Sequence, residues 1–327
     1  MAADQHGAPS AHRSARQWTT YGIAIGLLAA IAVHVARSGD ELADLQRLSI
    51  RTLILTSLIQ FVSQLALNGS LLLPLQTCVK NLGFWELYLV RTGGLLVGSM
   101  VPVAGGLAVR LAYLRSRGVT YVDFAWATLL SNVLALVATG ALAAAATGTL
   151  WAAAGRPPAA VLAVSVGVLV ASLAVLAGFE LVPRLSRHPR LFKWRWLSGV
   201  RSRAGSRGMS WRVFALSLVR HLLNFVTFGL LSQSFSGRSG DLLTGGLLYA
   251  LTSPVRMVNL TPGNLGITEW VVALVGKTLA FDVSTGLLAA LAFRGVGLAG
   301  QALGTLAGSV WFAVQKKRQA SGPRSIA

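Results

Sequence analysis

Long apolar runs dominate the chain, and polar residues fall in short clusters between them. A helix needs about 20 apolar residues to cross the hydrocarbon core of a bilayer. Six stretches reach that length: residues 18–36, 51–74, 123–147, 159–183, 212–233 and 285–314. Two further apolar regions, 87–117 and 242–281, are each interrupted near the middle. The first interruption reads Val101-Pro102-Val103-Ala104-Gly105-Gly106, and the second reads Thr261-Pro262-Gly263-Asn264-Leu265-Gly266. Proline removes a backbone donor and clashes with the preceding turn, and glycine loosens what remains. Each region therefore predicts two half-helices meeting at a tip, a re-entrant hairpin. Irregular backbone at that depth survives only where protein or a water-filled cavity satisfies it. In the first region Arg110, Arg115 and Arg117 follow the tip and argue against a second full crossing. In the second, residues 242–260 are long enough to cross, so two kinked spans stay open as an alternative.

The predicted fold is an all-α polytopic membrane protein of about six spans and two re-entrant hairpins. Its expected organisation is a tail at 1–17, one transmembrane domain at 18–314 and a basic tail at 315–327. Two spans, a hairpin and a third span make one half, 18–147, and the same order recurs in 159–314. Three spans per half is an odd number, so the halves would lie in opposite orientations, as in an inverted repeat. Both tips share Pro-x-x-x-Gly followed by an aliphatic residue: Pro102, Gly106, Leu107 and Pro262, Gly266, Ile267. The two tips are expected to approach each other near the membrane midplane.

Charge fixes the orientation. With the N-terminus inside, the inner segments 1–17, 75–122, 184–212 and 315–327 carry 20 Lys or Arg, against five in the outer loops. Cytoplasmic loops concentrate such cations, so both termini are expected to be cytoplasmic, in a cell membrane. The first polar residues, with Arg13 and Arg16, resemble a signal-peptide opening. The run after them is too long for the core of a signal peptide, and it reads as a retained first span. The basic loop at 184–212 reads as a topology anchor that also suits anionic lipid.

Composition narrows the function classes. Charged residues make up 12% of the chain, half the soluble average of about 25%, which leaves no room for a soluble domain. The net charge of +19 sits between apolar runs and points to lipid headgroups, not nucleic acid. One cysteine, Cys78, excludes an internal disulfide. Neither a Gly-rich nucleotide loop nor a His-Glu-x-x-His or paired-cysteine metal motif is present, so no enzyme activity, metal or cofactor is expected. Asp40, Glu41 and Asp44 are the only outer-loop acids available to an embedded transferase, and they read as a solvated loop.

Several ionisable residues nevertheless lie within the apolar segments. Arg220 and His221 fall about 12 Å into their span, and Arg294 about 15 Å into its own. Arg256 and Glu269 flank the second tip, and Arg110 follows the first. An arginine at the bilayer centre costs at least about 2.5 kcal/mol, so such residues face a cavity or a partner. One acid cannot neutralise three arginines, and Arg110, Arg256, Glu269 and Arg294 are therefore the candidate phosphate site. Gln60, Gln64 and Asn68 recur every four residues and share a helix face. With Asn132, Arg220 and Asn224 they would line the same polar interior. His221 reads as a structural hydrogen-bonding group.

The strings Pro102-Val-Ala-Gly-Gly106-Leu-Ala-Val-Arg110-Leu-Ala-Tyr113-Leu-Arg115 and Thr261-Pro-Gly-Asn-Leu-Gly-Ile-Thr-Glu269, with Arg294 downstream, resemble the lysylphosphatidylglycerol synthase transmembrane-region family. The resemblance covers roughly residues 51–312 and is carried chiefly by the second string. It implies that Pro262, Gly263, Gly266, Glu269 and Arg294 are signature positions, in a family that includes lipid flippase domains. Two departures stand out. The aminoacyl-transferase domain that makes the lysyl lipid is missing here. Ser131-Asn132 also replaces an acid–arginine pair carried by many members, which implies a different lipid.

The leading expectation is a translocase for a phosphate-bearing lipid, an anionic phospholipid or a lipid-linked phosphate. The alternatives are a membrane subunit that anchors or regulates a cell-envelope enzyme, and a small-solute transporter.

Overall fold

The computed structural model describes residues 25–27, 29, 30, 33, 48–79, 81–100, 105–154, 159–185, 207–237, 241–257, 264 and 266–320. Most of the first apolar run, the acidic cluster at 40–44, most of the basic loop, and Pro102, Pro262 and Gly263 of the tips lie outside them. Every regular element among the described residues is helical. The described residues from 48 onward form nine α-helices: α1 (Ile50–Gln76), α2 (Phe84–Met100), α3 (Gly105–Ser116), α4 (Tyr121–Ala154), α5 (Ala159–Leu185), α6 (Arg207–Ser236), α7 (Asp241–Thr252), α8 (Ile267–Thr278) and α9 (Val283–Ala320).

Length sorts these helices into two kinds. Four are long and apolar enough to cross a membrane, lying in α1, α4, α6 and α9. Helix α5 has 27 residues and carries a shorter described apolar stretch, Val161–Ala174. By contrast α3, α7 and α8 have 12 residues each and α2 has 17. At 1.5 Å per residue a 12-residue helix is about 18 Å long, short of a hydrocarbon core of about 30 Å. In the 242–281 region the described α-helices, α7 and α8, are each of this short kind. Its first helix also ends earlier than Pro262 suggests. Pro254 tightens the chain into a 3-10 turn at Ser253–Met257, directly after Thr252.

Local sequence explains where several helices start and stop. Ser49 Oγ accepts the Thr52 amide at 3.1 Å and caps α1. Gly118, at φ +85°, takes the left-handed turn that ends α3, with the Val119 amide reaching back to the Leu114 carbonyl.

The order long helix, short pair, long helix occurs twice, as α1–α2/α3–α4 and as α6–α7/α8–α9. The packing follows the same exchange. Helices α1 and α6 lie together at the centre, α1 packs on α9 as α6 packs on α4, and α2 meets α9 as α7 meets α4. Each short pair has its own apolar core. One contains Leu72, Leu87, Leu114, Trp126 and Val213; the other contains Phe228, Leu247, Tyr249, Val272 and Phe293.

Polarity runs opposite to that of a water-soluble protein. Helix α1 buries Thr56, Gln60, Ser63, Asn68 and Ser70 while exposing Ile50, Ile54, Leu58 and Val62. An apolar exterior around a polar interior suits lipid outside and hydrogen-bond partners inside. The molecule is an all-α membrane protein.

Candidate functional site

In the second short pair the entry into α8 is constrained. Asn264 holds a left-handed φ of 55°, and Gly266 has φ +82°. A Cβ at Gly266 would collide with Leu27, so only glycine fits both that backbone and that contact. Helix α8 starts next, and Glu269 sits in its first turn. Its Oε2 accepts the Gly266 amide at 2.8 Å, which closes the helix end and places the carboxylate at the positive pole. Oε1 of the same group lies 2.7 Å from Nη2 of Arg294 on α9. The carboxylate is 1% exposed and the Arg294 side chain 27%, so the acid is interior and its partner reaches the edge of the interior. Arg294 Nη2 also donates to the Asn264 carbonyl at 3.3 Å. The Asn264 side-chain amide donates in turn to the carbonyls of Val255 and Arg256. Asn264, Gly266, Glu269 and Arg294 thus form one connected knot.

Arg256 stands beside this knot in different company. Its guanidinium carbon lies 4.6 Å from the ring centroid of Phe293, 5.4 Å from Tyr249 and 6.0 Å from Phe228. Three ring faces give a cation electrostatic support, but they accept few hydrogen bonds. Nε and Nη2 of Arg256 are buried without a hydrogen-bond partner. Glu269 lies within electrostatic range, yet its oxygens are engaged by Arg294 and Gly266.

A chain of buried polar groups leads from α1 to the same place. Gln60 Nε2 donates to Asn224 Oδ1 at 2.9 Å, and Ser63 Oγ donates to that oxygen at 2.9 Å. Asn224 Nδ2 donates to the Tyr249 hydroxyl at 2.9 Å, and His221 Nδ1 meets that hydroxyl at 2.9 Å. Asn224 already supplies one proton to the hydroxyl oxygen. The phenol can therefore donate its own proton to His221 Nδ1, leaving the imidazole proton on Nε2. Nε2 is buried without a partner.

The other predicted residues fall elsewhere. Gln64 accepts from Arg91 on α2, and Asn68 donates to the Phe84 carbonyl at 2.8 Å. Arg110 is half-buried on α3 and donates to its own Gly106 carbonyl at 3.3 Å. Gly106 packs on Gly94, where an added Cβ would lie 2.8 Å from the Gly106 carbonyl oxygen. The side chain of Gly105 has no described surroundings, but the residue opens α3. Arg220 is half-buried on α6, where its carbonyl accepts from Ser63 at 3.5 Å, and it acts electrostatically on Arg91 and Arg256.

Asn132 is a correction: it is exposed on α4 and does not line the interior. Its neighbour Ser131 turns inward instead and donates to the Ser70 carbonyl at 3.0 Å. A polar residue at middle depth gives no hint of which side the next helix packs on. Sequence reasoning also counted Arg91 as a loop cation, whereas it is 2% exposed inside α2. The available signal was position: Arg91 has apolar neighbours on both sides and lies a full turn beyond Leu87.

What these groups offer is a set of buried donors with too few acceptors. No cluster of three or more His, Cys, Asp or Glu suited to a metal occurs among the described residues. The chemistry available is recognition of an anion by guanidinium groups.

Neither the curated proteins nor the solved structures contain a match to this chain. The family model described as "Lysylphosphatidylglycerol synthase TM region" matches residues 19–304, which include every element of the site. The match spans most of the chain and agrees with its helical, membrane-embedded architecture, so the protein belongs to the lysylphosphatidylglycerol synthase TM-region family.

Proposed function

We propose that this protein is a lipid translocase that moves a phosphate-bearing lipid between leaflets of the cell membrane, with both termini in the cytoplasm. The observation that carries the reading is Arg256. A buried guanidinium with two unused donors costs stability unless an anion completes it. A phosphodiester offers the acceptor geometry that the guanidinium fork prefers. Arg294 and Glu269 hold the neighbouring backbone in place, and a phosphate would supply the charge that one acid cannot. Family membership supports lipid handling.

The two helix sets support the mechanism. Short pairs that each end within a bilayer's depth suit re-entrant hairpins, and the exchanged packing of α1–α4 and α6–α9 suits an inverted repeat. Rocking of one half against the other would then open the phosphate site to each leaflet in turn. The test is leaflet-specific lipid labelling in reconstituted vesicles, with and without the protein. Faster exchange of an anionic phospholipid in protein-containing vesicles is the expected result. Identical exchange in both preparations, across anionic and lipid-linked phosphates, would leave the anchoring-subunit reading in its place.

A further inference from the structure

The first short pair carries a buried arginine that the site above leaves unused. Arg91 lies on α2 and is 2% exposed. Its Nη2 donates to Gln64 Oε1 at 2.9 Å and to the Gln64 carbonyl at 3.4 Å. The guanidinium carbon lies 5.2 Å from the Tyr88 ring centroid, and Nε is buried with no partner. All of these neighbours are neutral. Two further cations pack nearby: the Arg110 stem lies 3.3 Å from where a Cβ at Gly94 would stand, three residues beyond Arg91, and the Arg220 carbonyl accepts from Ser63, beside Gln64, at 3.5 Å; both repel Arg91.

No carboxylate among the described residues acts on Arg91, and three buried or half-buried ones have partners of their own. Glu86, on the same helix, accepts from Tyr113 and Arg117. Asp123 caps its own helix through Thr120, and Glu269 is held by Arg294 and Gly266. Three arginines from three helices therefore converge with no carboxylate paired to Arg91 among the described residues. A fully buried cation is tolerated when it is paired, and an unpaired one is strongly unfavourable.

We propose that Arg91, Arg110 and Arg220 form a second anion site, at the first short pair, that takes a phosphate group. Arg91 supplies the buried donors, Gln64 orients its guanidinium, and Arg110 and Arg220 supply further positive charge. The site rests on the burial and pairing of Arg91 and does not require that lipid be moved.

The decisive variant is Gln64→Glu. It places a carboxylate where Gln64 Oε1 now accepts from Arg91 and so supplies the missing charge internally. The full-length protein in detergent is assayed by thermal unfolding, and by native mass spectrometry with dioctanoylphosphatidic acid as the probe. The wild-type protein is expected to carry one more tightly held lipid than Gln64→Glu, and the variant to unfold at a higher temperature without lipid. Arg91→Lys, which keeps the charge and loses the fork, is expected to bind that lipid roughly tenfold or more weakly.

Competition by inorganic phosphate assigns the source. Displacement of the extra lipid means that a free phosphate suffices, and no displacement means that the lipid headgroup is required; the site stands in both cases. Equal lipid counts and equal affinity in wild type and Gln64→Glu overturn it, as does a Gln64→Glu protein that unfolds more easily. A chain that binds this lipid through Arg91 yet exchanges none between leaflets would end the translocase reading and leave the second site in place.

Discussion

Glu269 and Arg294 are joined at 2.7 Å, and the same carboxylate closes the start of α8 through the Gly266 amide. One side chain thus fixes a helix end, a left-handed glycine and the approach of α9 to α8. Removing the charge with Glu269→Gln leaves Arg294, whose side chain is 27% exposed, without its ionic partner. Partial exposure keeps the expected loss below that of a fully buried pair, at about 1–3 kcal/mol, and it should appear as a lower unfolding temperature in detergent. Unchanged unfolding would mean that the pair contributes nothing to the fold.

Tyr249 is the hub of the buried polar chain. Tyr249→Phe keeps the ring against Phe228 and Phe293 and deletes only the hydroxyl. Asn224 Nδ2 then loses its acceptor, and His221 Nδ1 loses its partner. A destabilisation of about 1–3 kcal/mol is expected, measured by denaturant or heat. Adding His221→Phe should cost less than the sum of the two single changes, because both act on one hydrogen bond.

Much of this arrangement was written in the chain. Described helices flank the Pro102 string, one ending at Met100 and the next opening at Gly105, while Pro102 itself lies outside the described residues. The four-residue spacing of Gln60, Gln64 and Asn68 does place three polar groups on one face, because helical spacing depends only on local geometry. What stayed hidden depends on contacts between distant helices. Phe228, Tyr249 and Phe293 read as ordinary apolar residues of three separate segments, and only packing gathers them around Arg256. Asn132 shows the same limit from the other side. Depth along a helix is legible, but the direction of its neighbours is not.

Close helix approach at the centre makes a further position sensitive. A Cβ at Gly300 on α9 would lie 2.7 Å from the Phe61 backbone nitrogen of α1. Backbone cannot swing aside as a side chain can, so α1 and α9 would have to separate. Gly300→Ala is expected to cost about 1–3 kcal/mol, and Gly300→Val more. Gly297, one turn earlier on the same helix, has open space where a Cβ would go and serves as the control. Equal unfolding temperatures for Gly300→Ala and Gly297→Ala would show that the α1–α9 contact is looser than described.

Orientation is tested separately. Moving Arg91 from the loop cations to the interior removes one charge from the inner count, and the cytoplasmic bias survives that change. A reporter fused after Ala327 should be active only in its cytoplasmic form. Activity in the extracytoplasmic form would reverse the topology, and with it the side from which each short pair enters.

The sharpest prediction concerns Arg256. Arg256→Gln removes a cation that has ring faces for neighbours and no carboxylate bonded to it, so no acid is stranded by the change. Desolvation favours the neutral amide, and the lost cation–π support offsets part of that gain. Stability should therefore change by no more than about 1 kcal/mol. Lipid exchange should fall to the protein-free rate, because the unused donors that would grip phosphate are gone. Arg294→Gln should behave differently: it abolishes exchange and also lowers stability, since it leaves Glu269 buried and unpaired. The two variants are compared by unfolding temperature and by leaflet-specific labelling in the same vesicles. Normal exchange in Arg256→Gln would remove phosphate binding from the second short pair, whatever Arg294→Gln does.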